Sequence, residues 1–174
     1  MNRFDYCLAF VTGPDIEGGL SNHKADRGGL TNHGVTQKTY NEYRKNAGLS
    51  PRSVTGITSD EVTAIYRTKY WNVAKCGVMP APLDLYVFDA AVNHGPARAV
   101  KLLQRALGED DDGQVGPVTV GALQEEVAAG QLPELCRNYL ATRQDFYDQI
   151  IENDPSQQVF ANGWSNRLEH LRRA

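Results

Sequence analysis

The sequence has no apolar run long enough to cross a membrane. Its longest uncharged stretches, Gly113 to Gln124 and Pro155 to Asn166, are 12 residues each, against the roughly 20 that a spanning helix needs. Cysteine is scarce. Cys7, Cys76 and Cys136 are odd in number and far apart, with no Cys-x-x-Cys pair, which excludes a zinc ribbon or a thioredoxin-type site. Three buried thiols, in a protein made in a reducing cytosol, are the expectation. Gly-x-Ser-x-Gly is absent, so no nucleophile elbow supports a serine hydrolase. A concentrated basic face is missing too. Residues 1–80 carry 10 Lys/Arg against 7 Asp/Glu, and residues 81–174 carry 8 against 14. No nucleic-acid partner is expected from that balance. Asp5 stands where a signal peptide would begin its apolar stretch, so no export signal is expected. Nor does any repeat recur at periods of about 20–50 residues.

What remains, 174 residues with 41% hydrophobic content and a net charge of −3, suits a folded domain and not a disordered chain. The pattern is mostly α. Phe4, Cys7, Leu8 and Val11 recur at the spacing of one helix face, and Gly13-Pro14 and Gly18-Gly19 disturb and end that helix. From Leu20 to Val35 no helical period survives, which predicts a small β-hairpin or irregular lobe, with Gly28-Gly29 as a hairpin turn. Thr36 is placed as the N-cap of a helix ending near Gly48. Thr58-x-x-Glu61 reads as a capping box for a helix running to about Ala74.

Pro82 suits a first helical position. Leu83 to Val92 is apolar nearly all round, as a central helix would be. Gly95-Pro96 opens the next helix, capped by Gly108. Pro117 to Ala129 follows, then a long helix carrying Leu135, Cys136, Tyr139, Leu140 and Tyr147, and a short one from Trp164 to Arg172.

Chemistry concentrates between Ile16 and Thr36. Glu17 stands where an apolar helix ends, immediately before Gly18-Gly19. Apolar neighbours and the negative end of the helix dipole both disfavour the anion, which raises a carboxyl toward the range of a general acid. Asp26, nine residues on, lies in a polar stretch where it stays ionised. Two carboxyls in contrasting surroundings are what glycoside hydrolysis requires: one protonates the leaving oxygen, the other activates water or stabilises the developing cation. Spacing alone also allows a helix-ending Glu17 and an Asx-turn at Asp26.

Glu17-Gly-Gly, Asp26, Gly28-Gly29, Thr31-Asn32 and Gly34-Val-Thr36 together resemble glycoside hydrolase family 108, the bacteriophage-type N-acetylmuramidases. The resemblance implies Glu17 as the catalytic acid. The sequence is also similar to the broader phage-lysozyme arrangement E-x8-[D/C]-x5-T, in which Asp26 matches and Thr31 falls one residue early. That arrangement implies a water-holding role for Thr31. His23-Lys24 stand where relatives often have an acid and a proline. Further along, Phe88-Asp89 to Asn93-x-Gly95, Leu103-Gln104 to Gly108, Asp112-Gly113-x-Val115-Gly116-Pro117 and Trp164-x-x-Arg167 look like the family's peptidoglycan-binding half. The implied fold is a lysozyme-like, two-lobed helical domain. Residues 1–80 would be the catalytic lobe and 81–174 the peptidoglycan-binding-like lobe, around a cleft.

Other signals are weaker. Aligned to an EF-hand, Asp110, Asp112 and Gly113 put Thr119 where the bidentate Glu must stand, so a solvated turn is expected there. His23, Asp26 and His33 match no standard metal spacing, and neither metal nor cofactor is expected. Trp71 and Trp164 read as core or as sugar-stacking platforms. Asn32 and Asn93 are candidate substrate contacts, with a helix cap as the other reading of Asn93.

The activity implied is cleavage of the β-1,4 bond between N-acetylmuramic acid and N-acetylglucosamine by a monomer acting on peptidoglycan strands. The alternatives are a lytic transglycosylase and a non-catalytic peptidoglycan-binding protein. Cytoplasmic synthesis and release to the wall by another route, such as a holin, completes the expectation.

Overall fold

Asn2 starts the first element. Its side chain accepts from the Asp5 amide at 2.9 Å, and helix α1 runs from there over Arg3–Val11. The computed structural model describes residues 2–13, 20, 21 and 30–174, with the backbone alone at Leu20 and Ser21. Two compact units form, residues 1–70 and 71–174.

In the first unit α1 buries Phe4, Cys7 and Val11 and closes at Thr12, whose hydroxyl donates to the Leu8 carbonyl at 2.7 Å. The helix end expected at Gly18-Gly19 lies outside the described residues, as does the turn expected at Gly28-Gly29. Strands β1 (Leu20–Ser21), β2 (Thr31–Asn32) and β3 (Val35–Thr36) form an antiparallel sheet in that order. The small β-hairpin is thus present. Its β2–β3 turn is His33-Gly34, both in the left-handed region at φ 50° and 72°, the pairing a tight hairpin requires.

Thr36 caps helix α2 (Gln37–Asn46) as expected, accepting from the Thr39 amide. The capping box is also real: Glu61 N donates to the Thr58 hydroxyl, and Thr58 N donates to the Glu61 carboxylate, at the start of helix α3 (Ser59–Tyr66). That helix was expected to reach Ala74. After Tyr66 it widens instead into a π-helical turn at Arg67–Trp71. The Thr68 hydroxyl takes the Ala64 carbonyl at 2.7 Å, a side-chain bond of the kind that competes with the helical ladder.

The second unit is helical among its described residues. A 3-10 turn at Cys76–Val78 leads to helix α4 (Leu83–His94). Pro82 caps α4 from outside, joined to Ala81 by a cis peptide, one position earlier than the sequence suggests. Every residue from Leu83 to Ala91 is buried, as the all-round apolar pattern requires, and each large apolar side chain there contributes about 1.5–3 kcal/mol. Gly95, at φ 87°, ends α4 and begins α5 (Pro96–Leu107), a conformation that needs a residue without Cβ.

Helices α6 (Pro117–Ala128), α7 (Leu132–Asn153) and α8 (Ala161–Arg172) complete the unit. α4 packs on α5 and α7, and α7 also packs on α5, α6 and α8. All three cysteines are buried, and none is joined to another in a disulfide. Trp71 is core, edge-on to Phe88 at 5.3 Å. Among the described residues no helix is long and apolar enough to cross a membrane.

Candidate active site

Glu17 and Asp26 lie outside the described residues, and the elements that flank them in the chain are β1, β2 and helix α1. In the sequence Glu17 precedes β1 by three residues, and Asp26 falls between β1 and β2. The sheet pairs Leu20 with Asn32 and Ser21 with Thr31. Antiparallel pairing therefore joins the strand that follows Glu17 to the strand that carries Thr31 and Asn32.

This hairpin is clamped from several sides. The Asn32 amide donates to the Val54 carbonyl at 3.2 Å. Gln37 donates to the Arg52 carbonyl and accepts from the Val54 amide at 2.7 Å. The buried Tyr66 donates to the His33 carbonyl at 2.9 Å, fixing the β2–β3 turn. With Nδ2 of Asn32 engaged, its Oδ1 is left as the acceptor.

Glu61 of α3 joins that helix to α2. It accepts from the Tyr40 hydroxyl at 2.7 Å and from Arg44 at 2.5 Å, as well as from Thr58. Burial pushes its carboxyl up, but these donors outweigh burial and hold it below the usual range. Asp89, Asp111, Asp112 and Glu169 are likewise held low. A general acid working near neutrality needs the opposite shift, so none of these five carboxyls is that acid.

In the second unit Asp89 of α4 is the anchor. Arg143 of α7 lies 2.6 Å from Oδ2, and Arg167 of α8 reaches both oxygens at 3.0 Å. Asp89 and Arg143 are fully buried. Burial pushes the Asp89 carboxyl up, and the two guanidinium groups more than reverse it.

One turn on, Asn93 and His94 end α4. The Tyr147 hydroxyl is 3.2 Å from Asn93 Oδ1 and 3.1 Å from His94 Nε2. Trp164 stacks on Tyr147 at 4.7 Å and 10°. Burial, with Arg143 second, pushes His94 down to about 3, so it is neutral. Asn93 does not cap its helix; that role belongs to the Gly95 amide on the Ala91 carbonyl.

Sequence reasoning missed Arg143. A signal was present, because Arg143 sits four residues from both Tyr139 and Tyr147 on the buried stripe of α7 and α4 carries an equally misplaced acid. The turn at Asp110 to Gly113 is solvated as expected, with Asp110 and Asp112 exposed, and it is also held by side-chain bonds. Asp111 pairs with Arg105 and Lys101. Asp112 accepts from the buried Gln104 at 2.7 Å, and Gln104 in turn accepts from the Gly113 amide. Gly113 has φ 79°, and a Cβ there would meet the Ala97 carbonyl at 3.1 Å. Among the described residues no three His, Cys, Asp or Glu side chains converge as metal ligands. His23 and Asp26 of that reading lie outside the described residues.

A family model described as glycosyl hydrolase 108 matches residues 14–95, and one described as a predicted peptidoglycan domain matches residues 98–169. Among solved structures, SagA of Brucella abortus is similar at 32% identity and a TM-score of 0.74, over 98% of this chain and 91% of that one. No curated protein matches. The chain belongs to the glycosyl hydrolase 108 family, and it is a glycoside hydrolase with a peptidoglycan-binding half, acting on peptidoglycan.

Proposed function

We propose that the bond cleaved is the β-1,4 linkage from N-acetylmuramic acid to N-acetylglucosamine, with Glu17 as general acid. Asp26, helped by Thr31, positions or activates the attacking water. The observation that carries the reading is the pairing of β1, which follows Glu17-Gly-Gly, with β2, which holds Thr31-Asn32. It lies within the segment matched by the glycoside hydrolase model. A water-positioning carboxylate separate from the acid leaves room for water between the two, which favours inversion of configuration. Asn32 and Asn93 are the proposed substrate contacts, and the working unit is a monomer.

Glu17→Gln keeps the shape and removes the proton. Digests of purified peptidoglycan are expected to lose reducing muropeptides by at least 100-fold, since a positioned general acid contributes about 10²–10⁴. Undiminished release would overturn the assignment, and anhydro-ended products from the unaltered enzyme would identify a transglycosylase instead. The setting proposed is phage lysis, with the chain made in the cytoplasm and admitted to the wall through a holin. Turbidity of expressing cells with and without a holin tests it, because lysis in its absence would remove that route.

A further inference from the structure

The end of α4 holds a three-residue hydrogen-bond chain that the family match does not assign. Tyr147 is fully buried. Its ring is held by the Trp164 stack, with His94 edge-on at 5.1 Å. Its hydroxyl lies between Asn93 Oδ1 and His94 Nε2. A hydroxyl has one proton. Given to Asn93 Oδ1, it leaves the Tyr147 oxygen as acceptor, so the neutral His94 must supply its Nε2–H. The order is then His94 to Tyr147 to Asn93, and the Asn93 Nδ2 makes no other bond among the described residues. Reversing the carboxamide would require the hydroxyl to turn round and the imidazole to change tautomer at once.

We infer that Tyr147 is a positioning residue that fixes the Asn93 carboxamide with Nδ2 as the donor offered to an acceptor oxygen of the amino-sugar chain, such as an acetamido carbonyl. This rests on the reading of Asn93 as a substrate contact. The chain survives at working pH, since burial holds the Tyr147 phenol above its ordinary value and His94 stays uncharged. It is also well braced: Arg98 lies 4.8 Å over Phe146, which itself meets His94 edge-on at 5.0 Å.

The test compares the unaltered protein with Tyr147→Phe, Asn93→Ala and the double variant, on soluble peptidoglycan fragments, with melting curves alongside. Tyr147→Phe keeps the ring and its stack and removes only the hydroxyl. KM is expected to rise about fivefold, the size of one net hydrogen bond, with kcat within about twofold. The double variant should be no worse than Asn93→Ala. If Asn93→Ala raises KM and Tyr147→Phe does not, the positioning role falls while the Asn93 contact stands. If Asn93→Ala itself changes nothing, both fall. Multiplying effects in the double variant, or a loss of kcat in step with melting temperature in Tyr147→Phe, would make Tyr147 structural and overturn the inference.

Discussion

At the scale of single residues, Asp89 is the most exacting position described. One carboxylate answers two guanidinium groups, Arg143 and Arg167, where both Asp89 and Arg143 are shut off from solvent. Removing one member of a buried ionic cluster costs about 3–5 kcal/mol, because the partners stay behind uncompensated. Asp89→Asn is therefore expected to lower the melting temperature by about 10 °C for a chain this size. The pH dependence has a definite sign. The folded Asp89 value lies below its unfolded one of about 4. Its stabilisation is fully present above that unfolded value and is lost as pH falls through the folded one. Melting followed down through this acid range should fall more steeply in the unaltered protein than in Asp89→Asn. Equal slopes would mean that Asp89 is not what titrates.

At the scale of elements, legibility follows the range of the interaction. The Thr58–Glu61 capping box, the Thr36 cap and the Gly95-Pro96 break are contacts within four residues, so their signatures stand side by side in the chain. Thr58→Ala should accordingly cost about 1 kcal/mol, read from denaturant midpoints at unchanged slope. A loss near zero would mean that the Thr58 hydroxyl adds nothing beyond the backbone amide of position 58 on Glu61.

Arg143 was not legible in the same way, since its partner is 54 positions away and no short-range rule couples them. The π-turn at Arg67–Trp71 replaced an expected α-helical end, and no short-range pattern in the chain marks where the ladder widens. In the candidate site, Thr31 and Asn32 stand on a real strand next to the one that follows Glu17. The β2–β3 turn is His33-Gly34, while the expected Gly28-Gly29 turn lies outside the described residues. Two consecutive left-handed residues can be met by His-Gly, and a Gly-Gly pair is simply the louder signal.

At the scale of the whole molecule, the net charge of −3 averages two unlike halves. Residues 1–80, which carry the proposed catalytic pair, sum to +3, and residues 81–174 sum to −6. The wall polymer bears carboxylates, so the positive half gains from a field that salt shortens. The Debye length falls from about 30 Å at 0.01 M to about 8 Å at physiological ionic strength. Wall lysis should slow over that interval, and a flat profile would exclude steering.

The Asp89–Arg167 bond spans 78 positions of sequence, and that separation sets an order in time. A chain leaving the ribosome presents α4 and its acid long before α8 exists. The polar centre of the second unit therefore stays open until residue 167 is free to close it. Every residue through Arg167 must therefore be synthesised before the peptidoglycan-binding half can reach its final packing, so the two ends of that half mature together.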